Sequence, residues 1–336
     1  MKAKKIVTLM VASAMVCGMF GATTTVQAAA PEYTIKLCTE QTDGDPIDEG
    51  CDKWAELVDK ATDGAVKIEV YPNSQLGAKA DLIEMALAGQ GICTIADGSY
   101  LMDYVSDFGV VMGPFLFSDW DDMYKITGSD WWQEESTELE NEGLEIVSTN
   151  WIYGERQLMT KKEIKSLDDL KGLKIRTMTN TLHVEYFDAL GAIPTPMSFT
   201  ELFTALQQKT VDGQENPTAM IYNNAIYEVQ KYMTVSEHVW TSTPLCIAGD
   251  FYNSLPADYQ AVIAEAAANT VEYQREMITE QNASLVTDIE AAGTEVITLD
   301  ADQKAAFQKV AEDSVYKTAA AEYGQDLIDM AAAHNK

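Results

Sequence analysis

The sequence predicts an α/β protein of two lobes tied together by one long helix, and three observations carry that expectation. The chain has 336 residues, which at about 100 to 200 residues per domain makes two domains, each large enough to bury a core. Segments with period-two apolar alternation are interleaved with segments of helical spacing, the order that builds α/β layers. Finally, no Pro or Gly interrupts the stretch between Pro256 and Gly293. As one helix this stretch is on the order of 54 Å long, more than the width of a single domain, so it reads as a strut along both lobes.

The elements follow in order. Lys2, Lys4 and Lys5 precede the uncharged run Ile6 to Pro31, whose apolar part ends in Val26-Gln27-Ala28-Ala29. That is the plan of a secretory signal peptide, too short for the roughly 20 apolar residues of a membrane span, with cleavage expected after Ala28. An uncleaved anchor is the alternative. Lipid attachment at Cys17 is another, although Ala14-Met15-Val16 lacks the usual small residue just before it. Tyr33 to Cys38 alternates as a strand, Gly50 to Thr62 places Trp54, Leu57, Val58 and Ala61 at helical spacing, and Asp63-Gly64 turns into a second strand, Val66 to Tyr71. A helix over Lys79 to Ala88 ends at Gly89, and Gly91 to Ala96 is an apolar strand. Ser166 with Asp169 signals a helix start, and Leu173 to Arg176 is strand-like, so Arg176 sits at a carboxyl strand end, where open α/β sheets bind ligands. A helix over Phe199 to Gln208 leads into Val211 to Pro217, where Gly213 and Pro217 predict a loop. Thr294 to Leu299 is a last strand, and Asp300 caps a terminal helix of about 30 residues.

Composition excludes several functions. With 23 Lys plus Arg against 53 Asp plus Glu, a net charge of −30, the surface repels nucleic acid, and no basic run lies beyond the first five residues. No nucleophile elbow, zinc-protease helix or phosphate loop occurs. Asp43-Gly44-Asp45-Pro46-Ile47-Asp48 misses calcium-loop spacing at Pro46 and Ile47. The three His are far apart in sequence and no C-x-x-C is present, so neither a catalytic function nor a metal or cofactor is expected. Past the signal, Cys38, Cys51, Cys93 and Cys246 remain. A Cys38–Cys51 disulfide and four separate buried thiols both fit.

Only three cations are Arg: Arg156, Arg176 and Arg275. A planar guanidinium grips a carboxylate at two points as Lys cannot, so the first two are candidate anion ligands. Arg156 could instead pair with Glu155 or Glu163, and Asn216, before Pro217, could instead order its own turn.

The run Ser166-Leu167-Asp168-Asp169-Leu170-Lys171-Gly172-Leu173-Lys174-Ile175-Arg176, then Ala189 to Met197, then Asp212-Gly213-Gln214-Glu215-Asn216-Pro217, resembles the substrate-binding proteins of tripartite ATP-independent periplasmic (TRAP) transporters of the DctP type. Val70 to Gly77 and Gly113 to Phe117 fit the same pattern, so the resemblance spans essentially the mature chain. It implies a periplasmic-binding-protein-like clamshell, each lobe a mixed β-sheet flanked by helices with a long helix spanning both, and an extracytoplasmic monomer without enzymatic activity. Such a protein hands a small organic acid to a membrane permease. The lobes are expected at 29–153 plus 242–281 and at 154–241 plus 282–336, after a signal peptide at 1–28. The resemblance assigns the carboxylate to Arg176 and the cleft lining to Arg156, Phe199 and Asn216. Trp151, Tyr153, Tyr222 and Trp240 are candidates for an apolar wall, and Glu155 for neutralising Arg156 or bonding a ligand hydroxyl or amine. The alternatives are the binding component of an ABC importer and a secreted sensor or hydrolase module.

Overall fold

Ile35 and Leu37 alternate inward along β1 (Tyr33–Cys38) and are fully buried, the burial expected of a central strand. The computed structural model describes residues 30–325 and 327–329. The expected signal peptide lies outside the described residues. Asp45 caps α1 (Pro46–Ala61), accepting from the Ile47 amide, and Pro46 at the first helical turn loses no bond the helix needs. Strand β2 (Val66–Tyr71), helix α2 (Lys79–Leu87) and strand β3 (Ile92–Ile95) follow. β1 lies between β2 and β3, parallel to both. Asp97 caps the one-turn helix α3 (Gly98–Leu101), and α4 (Trp120–Thr127) and α5 (Asp130–Glu142) lead to β4 (Leu144–Thr160).

β4 is 17 residues long and serves two sets of ladders. From Leu144 to Glu155 it pairs with β9 (Trp240–Ala248), which continues to β3. From Arg156 to Thr160 it pairs with β7 (Gly213–Pro217), and over its last three residues also with β8 (Tyr232–Val235). β5 (Lys174–Thr177) runs parallel to β7 and to β6 (Ile193–Pro196). The single mixed sheet therefore reads β2-β1-β3-β9-β4-β7-β5-β6, with β8 branching to β10 (Glu295–Thr298). Helices α6 (Thr181–Ala189), α7 (Phe199–Gln207), α8 (Thr218–Asn223) and α9 (Gly249–Ser254) occupy the connections.

The long helix is α10 (Ala257–Ala291), 35 residues. It lies on α1 and β4 and also reaches α8 and β10, so it spans both sets of strands. Trp54 of α1 donates its indole N–H to the Ile263 carbonyl, 3.0 Å away, tying the two helices without leaving a buried donor unpaired. The terminal helix departs from expectation. Asp300 and Gln303 form the capping box of α11 (Ala301–Val310), but a π-helical turn over Ala311–Val315 separates it from α12 (Tyr316–Glu322), and Gly324 at φ +85° stops the run. The expected loop over Val211 to Pro217 is also corrected: Gly213–Pro217 is strand β7, fully buried between β4 and β5. Pro217 is its last residue, and Gly213 is required because a Cβ there would stand 2.6 Å from the Met159 carbonyl oxygen. The four cysteines among the described residues are buried free thiols, so Cys38 and Cys51 are not joined.

Candidate functional site

The carboxyl ends of β1 and β3, which run parallel, meet here the carboxyl end of β5, which runs in the opposite sense across the sheet. Glu40 follows β1, Asp97 follows β3, and Arg176 is the penultimate residue of β5. With Lys79, Tyr100, Tyr153, Arg156, Met178, Phe199 and Asn216 they line a narrow cavity of about 10 Å³. A wider groove of about 290 Å³, which also touches Glu40 and Phe199, adjoins it beside Asn73, Phe203 and Asn224. Phe199 therefore stands between cavity and groove, at the start of α7 where Ser198 caps the helix.

Arg176 is 2 % exposed and has no carboxylate partner among the described residues. Its Nε and Nη2 both donate to the Met197 carbonyl, at 3.1 and 2.8 Å, which fixes the guanidinium without neutralising it. Burial pushes its pKa below the ordinary arginine value, the direction expected of a dehydrated cation.

Arg156 is held differently. Its Nε and Nη2 grip both carboxylate oxygens of Glu215, the Nη2 contact at 2.9 Å, and Nη2 also donates to the Glu215 carbonyl and to Asn216 Oδ1. His183 and His238 flank the same carboxylate at 3.8 and 3.5 Å. Burial alone would raise the Glu215 carboxyl, but Arg156 and the two imidazoles outweigh it and hold the group well below the usual carboxylate range. Neither expected rival partner is used: Glu163 binds Lys165, and Glu155 faces elsewhere. Asn216 orders no turn. It sits within β7 opposite Gln157, its Nδ2 donating to Gln214.

Gly154 explains which β4 side chains reach the cavity. In a regular strand, residues three apart point to opposite faces, yet Tyr153 and Arg156 line the same cavity. The β4–β9 register shifts between Ile152 and Gly154, and Gly154 has φ +126° with the space for a Cβ taken by Pro217 at 2.9 Å. The irregularity turns Arg156 inward and leaves Glu155 on the other face, paired in register with Trp240. Trp240 packs edge-on against Trp120 at 4.9 Å, away from the cavity. Trp151 is fully buried in the core against Gly50 and donates to Ser148 Oγ, and Tyr222 stacks on Tyr227. Of the seven candidate site residues, Arg176, Arg156, Asn216 and Phe199 line the cavity, while Trp151, Glu155 and Trp240 do not.

Sequence reasoning missed Glu40, Lys79, Asp97 and Tyr100. Lys79 is 2 % exposed and pairs with Glu40 at 3.1 Å, its ammonium over the rings of Tyr100 and Tyr153. Burial by itself lowers the Lys79 pKa, but Glu40, the two tyrosines and Asp97 outweigh it and hold the ammonium charged. A lysine opening a helix gives no sign in sequence that it is buried.

A two-lobed α/β body enclosing a small polar cavity with one unmatched cation has the architecture of a solute-binding protein. The chain belongs to the bacterial extracellular solute-binding proteins of family 7, the DctP family, whose pattern matches residues 37–322. It is 31 % identical over 287 residues to the C4-dicarboxylate-binding periplasmic protein DctP of Rhodobacter capsulatus, covering 85 % of this chain and 86 % of that one. Among solved structures, the TRAP periplasmic solute-binding protein of Ochrobacterium anthropi with bound L-fuconate superposes with a TM-score of 0.85 at 34 % identity, over 90 % of this chain and 99 % of that one. The TRAP protein of Sulfurospirillum deleyianum with bound succinate superposes with the same score at 28 % identity and the same coverage. These relatives are transport proteins rather than enzymes, and proteins of this type work with a membrane permease. No helix among the described residues is long and apolar enough to cross a membrane.

Proposed function

We propose that this protein captures a small organic acid outside the cytoplasmic membrane by pairing its carboxylate with Arg176, and delivers it to a TRAP permease. The observation that carries the reading is the buried guanidinium of Arg176, which has no carboxylate at ion-pair distance among the described residues. A dehydrated charge is costly unless paired, so a site that keeps one unpaired is poised for an anion. The relatives support the ligand class, since the named ones bind fuconate, succinate and C4-dicarboxylates. On this reading the signal peptide is removed after Ala28, the mature protein acts as a monomer, and its lobes follow the boundaries expected from sequence.

A two-point grip on a carboxylate contributes roughly 3–6 kcal/mol, whereas micromolar affinity requires about 8 kcal/mol. The remainder comes from burying the ligand's body against Phe199, Tyr100, Tyr153 and Met178. Arg156 is already neutralised by Glu215 and acts by holding Asn216 in place. The test is a thermal-shift screen of the purified protein against organic acids, because a ligand that binds only the folded state raises the melting temperature. Arg176→Ala should abolish the shift given by the best ligand, and an undiminished shift would overturn the assignment.

A further inference from the structure

We propose that the buried Glu40–Lys79 pair makes this site selective for hydroxylated monocarboxylates, acids of the aldonate type, and against dicarboxylates. The inference rests on the preceding reading that Arg176 receives a ligand carboxylate, and it narrows the class of acid.

Charge counting comes first. The ionisable groups other than tyrosine that line the cavity are Glu40, Lys79, Asp97, Arg156 and Arg176. Lys79 is matched by Glu40 at 3.1 Å, and Arg156 by Glu215 behind it. Asp97 caps α3 through the Ser99 amide and adds a negative charge near Lys79. With Glu215 counted, three cations face three carboxylates, and Arg176 is the one cation with no carboxylate at ion-pair distance among the described residues, so it is the place where a single ligand carboxylate can pair while no net positive charge is left for a second. A second carboxylate would find its nearest free cation already neutralised by a buried acid and would meet Glu40 and Asp97 in a medium that screens poorly.

Hydrogen-bond accounting comes second. Glu40 is 5 % exposed and lines both the cavity and the adjoining groove. Oε2 takes the lysine, while Oε1 is buried without a partner among the described residues. A carboxylate oxygen is purely an acceptor, so its complement is an O–H or N–H donor, and an unsubstituted dicarboxylate such as succinate has none to offer at neutral pH. A hydroxyl on the chain of an acid held by Arg176 supplies the donor, and its own lone pairs suit the Lys79 ammonium. A site built to bond a hydroxyl rejects the analogue lacking it, because its buried polar groups are then left unpaired.

The experiment uses the purified mature protein and isothermal titration calorimetry with three probe sets: C4 to C6 aldonates, succinate, and unsubstituted monocarboxylates such as hexanoate. At least one aldonate should bind 100-fold or more tighter than succinate and hexanoate. Glu40→Gln should weaken that aldonate at least 10-fold and narrow its advantage over succinate, because Lys79 is then released to a second carboxylate. Glu40→Gln with Lys79→Gln leaves no uncompensated charge, and so keeps the test alive where the single variant fails to fold. It should bind the aldonate weakly and still reject succinate. Succinate binding as tightly as every aldonate, or aldonate affinity within two-fold of wild type in whichever of these variants folds, overturns the selectivity while leaving carboxylate capture standing, provided that Arg176→Ala still abolishes binding. Failure of every acid to bind overturns both.

Discussion

Arg156 and Arg176 line one cavity 20 positions apart in sequence, yet they meet opposite electrostatic fates. The first is enclosed by Glu215, two imidazoles and Asn216, so its charge is spent inside the protein. The second is tied only to a carbonyl oxygen. Equal burial thus hides different roles: a matched charge holds strands together, whereas an unmatched one waits for a ligand. The difference follows from strand order. β7 lies between β4 and β5, and its central Glu215 is presented to Arg156 across the β4 ladder.

The sharpest way to break this comparison is to remove each side of it and measure both affinity and stability. Arg176→Ala should cost roughly 3–6 kcal/mol of ligand affinity, about 10²- to 10⁴-fold, and leave the ligand-free protein as stable as before or more so, because an uncompensated buried cation has gone. Calorimetric titration and urea unfolding of the ligand-free protein check the two halves. Glu215→Gln should do the reverse, lowering unfolding free energy by about 3–5 kcal/mol by stranding Arg156, with a much smaller change in affinity if the variant is assayed below its melting temperature. Were Glu215→Gln to unbalance binding while Arg176→Ala unfolded the protein, the roles would have to be exchanged.

Much of this arrangement was legible in the sequence because the signals were local. The alternation in Tyr33 to Cys38 and Val66 to Tyr71, the Ser166–Asp169 capping box and the long run before Gly293 each needed no knowledge of distant residues. Arg176 stood out by scarcity and by its place at a strand end. What stayed hidden depended on distant partners. β7 reads Gly-Gln-Glu-Asn-Pro, a poor strand by propensity, and is a strand only because Arg156 satisfies Glu215 and neighbouring strands cover it. Trp151 and Trp240 looked like candidates for a ligand wall, but Gly154 and the register shifts around it decide which β4 side chains face the cavity. Lys79 and Glu40 lie 39 positions apart in sequence and only the fold brings them together.

A third buried charge, at the start of α1, extends the comparison to a site with neither a cation nor a ligand, and its expected effect is the smallest. Asp48 Oδ2 accepts from the Gly44 amide at 3.3 Å while Oδ1 has no partner among the described residues. Burial, with Asp52, Asp43 and Asp45 nearby, pushes its carboxyl from the ordinary 3.8 up to about 7. Asp45, which caps the helix and receives Asn223, is pushed by burial to about 6. A carboxyl whose folded pKa is raised binds its proton more tightly in the native state, so its contribution is complete below the unfolded value and is lost as pH rises toward the folded one. Stability tied to Asp48 should therefore fall between about pH 4 and 7. Glu215 has the opposite sign, being favourable above its ordinary 4.5 and lost only on acidification. Asp48→Asn keeps an acceptor for Gly44 and removes the charge. It should raise unfolding free energy at pH 8 by about 1 kcal/mol, the scale of one buried acceptor left unpaired, and change it little at pH 4. Urea midpoints at the two pH values decide the point: equal gains at both would mean that the Asp48 carboxyl titrates alike in the folded and unfolded chain, and a loss at pH 8 would mean that the helix end values the negative charge more than burial opposes it.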